Sequence, residues 1–220
     1  MKLRSIVSLC FAILIAGCAS PIIKVDVSNL EESSSVRTID LRPPSEKENK
    51  LFSLLITSEA YGISRFGEER MIPIPLRLLQ HRVYEKFSNE STSLELKVHH
   101  FVTYLNMKSE LRGFAMGSAI GGAVGGSIMA GTAKYGVNGI AEIITEEDFI
   151  AEEEEYKRGL YTEEENPEKV SVFIVYLDAE INGKRVFVKT MTPGSLSKEM
   201  DEQPYVAAIQ TAISYFLDQY

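Results

Sequence analysis

The stretch "KVSVFIVYLDAEINGKRVFVKTM" (residues 169–191) decides the fold. Two runs rich in β-branched and aromatic residues flank Asn182-Gly183. That dipeptide accepts positive φ at both centres of a tight turn, so a β-hairpin is predicted. In the first run Val172, Ile174 and Tyr176 alternate with Phe173, Val175 and Leu177. Both alternating sets are apolar, which predicts a strand covered on both faces.

Working outward, "PYVAAIQTAISYFLDQY" (204–220) places Val206, Ile209, Ile213, Phe216 and Tyr220 on one face of a closing helix, with Pro204 at its start. Upstream, "SLELKVHHFVTYL" (93–105) reads as a long strand with Leu94, Leu96, Val98, His100, Val102 and Tyr104 on one face. "LRLLQHRVYEKF" (76–87) repeats Leu76, Leu79, Val83 and Phe87 at helical spacing behind Pro73 and Pro75. "VRTIDLRPP" and "KLFSLLITS" read as two further strands, the former stopped by Pro43-Pro44. The order is strands, helix, strand, long insertion, hairpin, helix. It predicts an α+β domain, a mostly antiparallel sheet with two helices on one face, plus a Gly-rich and acidic insertion.

At the front, Lys2 and Arg4 precede an apolar run from Ile6 to Ala16, which ends in "IAGC" at Cys18. The run has the length and flanks of a secretory signal and is too short for a spanning helix. "IAGC" resembles the lipobox of bacterial lipoproteins. That resemblance implies cleavage before Cys18, a diacylglycerol and an N-acyl chain on Cys18, and no other cofactor. Ala19, in place of an aspartate, implies an outer-membrane location. Several acyl chains make a lasting anchor, at about 0.8 kcal/mol per buried methylene.

The expected organisation is a signal peptide (1–17), a lipidated tether (18–35) carrying the polar "SNLEESSS", a first part of the domain (36–105), the insertion (106–169), and the hairpin with the closing helix (170–220). Without residues 1–17 the chain carries 21 basic and 31 acidic side chains, a net charge of −10. No basic face for nucleic acid is evident. Cys10 leaves with the signal and Cys18 is acylated, so no disulfide within the mature chain is expected.

The element order, with Asp40 and Arg42 in "DLR", "LRLLQ" at 76–80, the strand 94–105, the "NGK" at 182–184 and the closing helix, resembles the YajG-like family of small envelope lipoproteins. More distantly it resembles auxiliary lipoproteins of lipid-transport systems. The likeness covers about two thirds of the mature chain and departs at 106–169. It implies an envelope module, with no enzymatic activity and no catalytic residues to carry over.

Direct searches for chemistry agree. "GGSIM" has Met129 where a nucleophile elbow needs glycine. "GSIMAGT" lacks the lysine of a phosphate loop. His99 and His100 are adjacent on a strand and His81 is alone on a helix, read as surface residues apart from one half-buried strand histidine, so no metal site is expected. Asp40 and Arg42, two apart, read as a local structural ion pair. The acidic run from Glu142 to Glu168, twelve carboxylates against Lys157 and Arg158, reads as a solvated, self-repelling segment; a cation or basic partner is the alternative.

The insertion also holds "GFAMGSAIGGAVGGSIMAG" (113–131), with Gly113, Gly117, Gly121 and Gly125 four apart. On a helix they make a groove beside Met116, Ile120, Val124 and Ile128, a small-xxx-small surface that resembles the glycine zippers of some outer-membrane lipoproteins. Seven glycines cost a lone helix about 7 kcal/mol relative to alanine. The segment therefore needs copies packed together, or it is an insertion on the surface. Three functions follow: an outer-membrane interaction module binding an envelope partner, a glycine-zipper homo-oligomer that enters or perturbs the membrane, and an accessory of lipid transport.

Overall fold

A computed structural model describes residues 22–56, 60–89, 93–109, 140–158, 172–193 and 203–220. Cys18 and the zipper glycines lie outside these. The predicted hairpin is its centre. Strands β8 (Val172–Ile181) and β9 (Lys184–Pro193) pair antiparallel around Asn182 and Gly183, whose φ values of 48° and 90° are those the turn requires.

β8 also pairs antiparallel with β6 (Glu95–Ser109), which pairs with β4 (Ala60–Phe66), which pairs with β3 (Lys50–Ile56). On the other side β9 carries β7 (Ile140–Ile143). The sheet runs β3-β4-β6-β8-β9-β7, and β2 (Arg37–Asp40) pairs parallel with the first residues of β6. The fold is thus α+β around a mostly antiparallel sheet, as expected. Ser109 faces Ala60, Val172 faces Pro193, and Ile140 faces Met191. The chain therefore leaves the sheet after β6 and re-enters at β7 along the same rim.

The long strand corrects one expectation. Between Val98 and His100 the pairing of β6 with β8 slips by one residue, a β-bulge. Leu94, Leu96 and Val98 face one core before it, and Phe101 and Leu105 face that core after it. Val102 and Tyr104 point into the second core, on the opposite face. His100 stacks there on Phe149 and Phe187. The six residues therefore do not share a face: the extra residue changes which parity points where.

α1 (Pro75–Phe87) and α3 (Pro204–Leu217) cover the first face, each with proline in its first turn. Val206, Ile209, Ile213 and Phe216 are buried as the stripe predicts. His81, read as a surface residue, is buried beneath α1.

The second face is covered by α2 (Glu146–Arg158), which lies in the acidic run. The solvated reading fails for this part: Phe149 and Tyr156 are buried against Ile63, Tyr104, Ile174 and Tyr176. The helix starts with a reciprocal cap. Thr145 Oγ1 accepts from the Asp148 amide at 3.2 Å, and Asp148 Oδ2 accepts from the Thr145 amide at 3.0 Å. Glu146, Glu147 and Asp148 sit in its first turn, where the helix dipole favours negative charge. Residues 106–109 and 140–158 of the expected insertion thus belong to the sheet and its second layer.

The tether is also shorter than expected. Ile23, Val25 and Val27 pack on the first core while Ile22, Lys24 and Asp26 are exposed. β1 (Ile23–Lys24) pairs parallel with β5 (Met71–Ile72). The polar stretch that follows is a 3-10 helix, Leu30–Ser35, whose Leu30 carbonyl accepts from Arg77 Nη2 at 2.7 Å. Its serines bond to carbonyls three residues back, so the composition that reads as a linker makes local turns instead.

Candidate functional site

β2 and β4 lie end to end along one edge of β6, covering residues 95–98 and 103–109 and leaving a seam between them. A 3-10 turn, Pro44–Lys47, fills it with charge. Arg42, 5% exposed, donates from Nε to Asp40 Oδ1 at 2.8 Å and from Nη2 to Asp40 Oδ2 at 3.0 Å. Its Nη2 also reaches Glu68 Oε2 at 2.9 Å, and Lys47 Nζ reaches Asp40 at 2.7 Å. Burial works to raise the Asp40 pKa, but donation from Arg42 and Lys47 prevails and holds it at about 2. The local ion pair read from "DLR" is present, with Lys47 and Glu68 added.

Deeper in the seam, Glu46 Oε1 lies 2.6 Å from His100 Nδ1. Burial works to lower the His100 pKa; Glu46, Asp178 and Glu146 overcome it, so His100 sits above the usual histidine value. Asp178, fully buried, faces His100 across the ladder and accepts from Arg185 Nε at 2.9 Å. Arg185 also reaches Glu146 Oε2 of α2 at 3.2 Å. One chain of charges thus links the Pro44–Lys47 turn, β6, β8, β9 and α2.

Under α2, hydroxyls meet the acidic run. Tyr104 donates to Glu153 at 2.9 Å, Tyr176 donates to Glu152, and the Tyr156 and Tyr176 hydroxyls lie 2.9 Å apart. Lys189 Nζ donates to Glu152 at 2.7 Å. Burial, with Glu153 second, raises the Tyr104 pKa; burial, with Tyr156 and Glu152 behind it, raises that of Tyr176. Both phenols stay protonated and donate.

A histidine oriented by a carboxylate is half of an acid–base pair. Here the imidazole lies against Phe149 and Phe187, with centroids at 4.8 and 5.8 Å. Glu46 Oε2 is buried without a hydrogen-bond partner, so the seam accepts one more donor, a water or a ligand N–H. His99 Nε2 lies 4.0 Å from Glu180, and His81 Nε2 lies 3.2 Å from Glu85. The structure does not bring the three histidines together. Among the described residues no group of three or more histidine, cysteine or carboxylate side chains is placed to hold a metal. Among them, too, no helix is long and apolar enough to cross a membrane.

Sequence reasoning missed Glu46, Glu68, Asp178 and Arg185 because their partners are distant in the chain or hidden by the bulge. The alternation of charged residues with apolar ones at 178, 180 and 185 was the available signal. Comparison of the chain with protein-family models, curated proteins and solved structures returns no match.

Proposed function

We propose that this chain is an acylated lipoprotein of the bacterial outer membrane, a non-enzymatic interaction module akin to the YajG-like family. The observation that carries the proposal is "IAGC" at 15–18, with a folded strand only five residues beyond Cys18. An anchor set this close to a packed domain holds the domain at the bilayer surface. The buried charges support a binding role: Arg42, Glu46, Asp178 and Arg185 serve one another across five elements and brace the scaffold. The partner is an envelope protein docked on the sheet's elements or the insertion.

The spacing of Gly113, Gly117, Gly121 and Gly125 favours a second reading, self-association through the insertion. Its flanks at Ser109 and Ile140 belong to one sheet and one rim, so a single one-way crossing is incompatible with the fold. A membrane role then takes a re-entrant hairpin or an oligomer.

The anchor is tested by labelling with radioactive palmitate and fractionating membranes. The natural chain should take up label and sediment with the outer membrane. Cys18→Ser should take up none and remain an unprocessed precursor. Label in the Cys18→Ser protein would overturn the lipoprotein assignment.

A further inference from the structure

We infer that the outward face of the β1/β5 ribbon, Ile22, Lys24 and Ile72, is the surface on which the domain rests against the lipid bilayer. The inference rests on membrane attachment upstream of residue 22, as proposed above. In the parallel ladder Ile23 faces Met71 and Lys24 faces Ile72. Ile23 and Met71 turn to the core, so Lys24, Ile72 and the preceding Ile22 turn out. Ile22 is 53% exposed and Ile72 52%. Two isoleucines beside a lysine suit the zone where acyl chains meet headgroups, the lysine stem lying along apolar surface with its charge at the phosphates.

Chain length supplies the occupant. Cys18 and Ile22 are four peptide units apart, so at most about 14 Å separates them even when fully extended. An acylated Cys18 holds Ile22 within that reach of the bilayer; an uncleaved apolar segment 6–16 would hold it there too. Charge points the same way. The exposed Glu147, Asp148 and Glu154 lie on α2, across the sheet from the first core on which the ribbon packs. An anionic membrane repels that side and accepts the side bearing Lys24. Asp26, next in the exposed row, lies farther along the chain from Cys18.

The chain contains no tryptophan, so a single introduced one reports its own depth. Ile72→Trp, Ile22→Trp and, as a control of matched exposure, Ile150→Trp (53% exposed on α2) are made in the full chain. Each is purified from membranes and reconstituted in vesicles of phosphatidylethanolamine and phosphatidylglycerol doped with a headgroup-level nitroxide lipid. Flotation is measured first. Emission from positions 72 and 22 should move to shorter wavelength and be quenched by the nitroxide, while position 150 keeps its emission in water. Two ribbon positions are used so that a folding defect at one leaves the other to decide. Protein that floats with positions 22 and 72 no more quenched than 150 overturns the inference and leaves the anchor standing. Protein that fails to float overturns the anchor and the inference together.

Discussion

Phe149→Ala asks whether the acidic helix is part of the core. Phe149 is 3% exposed, with its ring 4.9 Å from Tyr176, 5.5 Å from Phe187 and 4.8 Å from His100 between centroids. Truncation removes the ring from all three neighbours at once. The two tyrosine–carboxylate bonds and the Arg185–Glu146 bridge hold α2 in place, so the gap cannot close by simple collapse. A phenylalanine lost from such a site costs about 3–5 kcal/mol. With a urea slope of about 2 kcal/mol/M the midpoint should fall by about 1.5–2.5 M. Far-ultraviolet circular dichroism of a chain beginning at Ala19 measures it against the natural sequence. If α2 unfolds with the sheet, the midpoint falls and the slope stays. A loss below about 1 kcal/mol, or an early separate transition, would refute the placement of α2 as a second cooperative layer.

On the opposite face Phe216, fully buried, is 5.3 Å from the Tyr220 ring, and Phe216→Ala should cost a similar 3–5 kcal/mol by the same assay. Asp40 is held at about 2 against an ordinary 3.8, so its contribution is fully present above pH 3.8 and is lost as pH falls through 2. The difference in melting temperature between the natural chain and Asp40→Asn should therefore be largest near neutrality and shrink at pH 2; a constant difference would count against the Asp40–Arg42–Lys47 geometry. Gly121→Leu combined with Gly125→Leu should abolish crosslinked oligomers with little change in the melting temperature of the domain. Persistent oligomers would remove the zipper from consideration.

The hairpin, α1 and α3 were legible because short-range rules govern them. Asn182-Gly183 fixes its turn locally, and the stripes of both helices face one apolar layer. The two-sided burial of β8 was legible too, but the element covering its second side was not. α2 offers Phe149 and Tyr156 inward, while Glu152 and Glu153 serve as acceptors for buried phenols. A carboxylate used this way cannot be told by composition from one facing water. The bulge in β6 escaped because "VHHFVTYL" is apolar on both parities beyond it, so a one-residue slip leaves no mark on the alternation. β4 was not recognised, since "AYGISRF" mixes Gly62, Ser64 and Arg65 into both parities. The charged seam needed tertiary knowledge: Arg42 and Glu68 are 26 residues apart, His100 and Glu46 are 54 apart.

The shared rim at Ser109 and Ile140 bears on how such a chain changes over generations. Loop closure grows only with the logarithm of length, about 0.6 kcal/mol per doubling. Thirty residues, 110–139, separate the two attachment points, so halving or doubling that segment moves the domain's stability by less than one good core contact. Deletions, duplications and glycine-rich drift there are nearly invisible to selection for folding. The insert is free to follow whatever it touches outside the domain, at a pace set by that encounter, while the sheet beneath it stays under purifying selection.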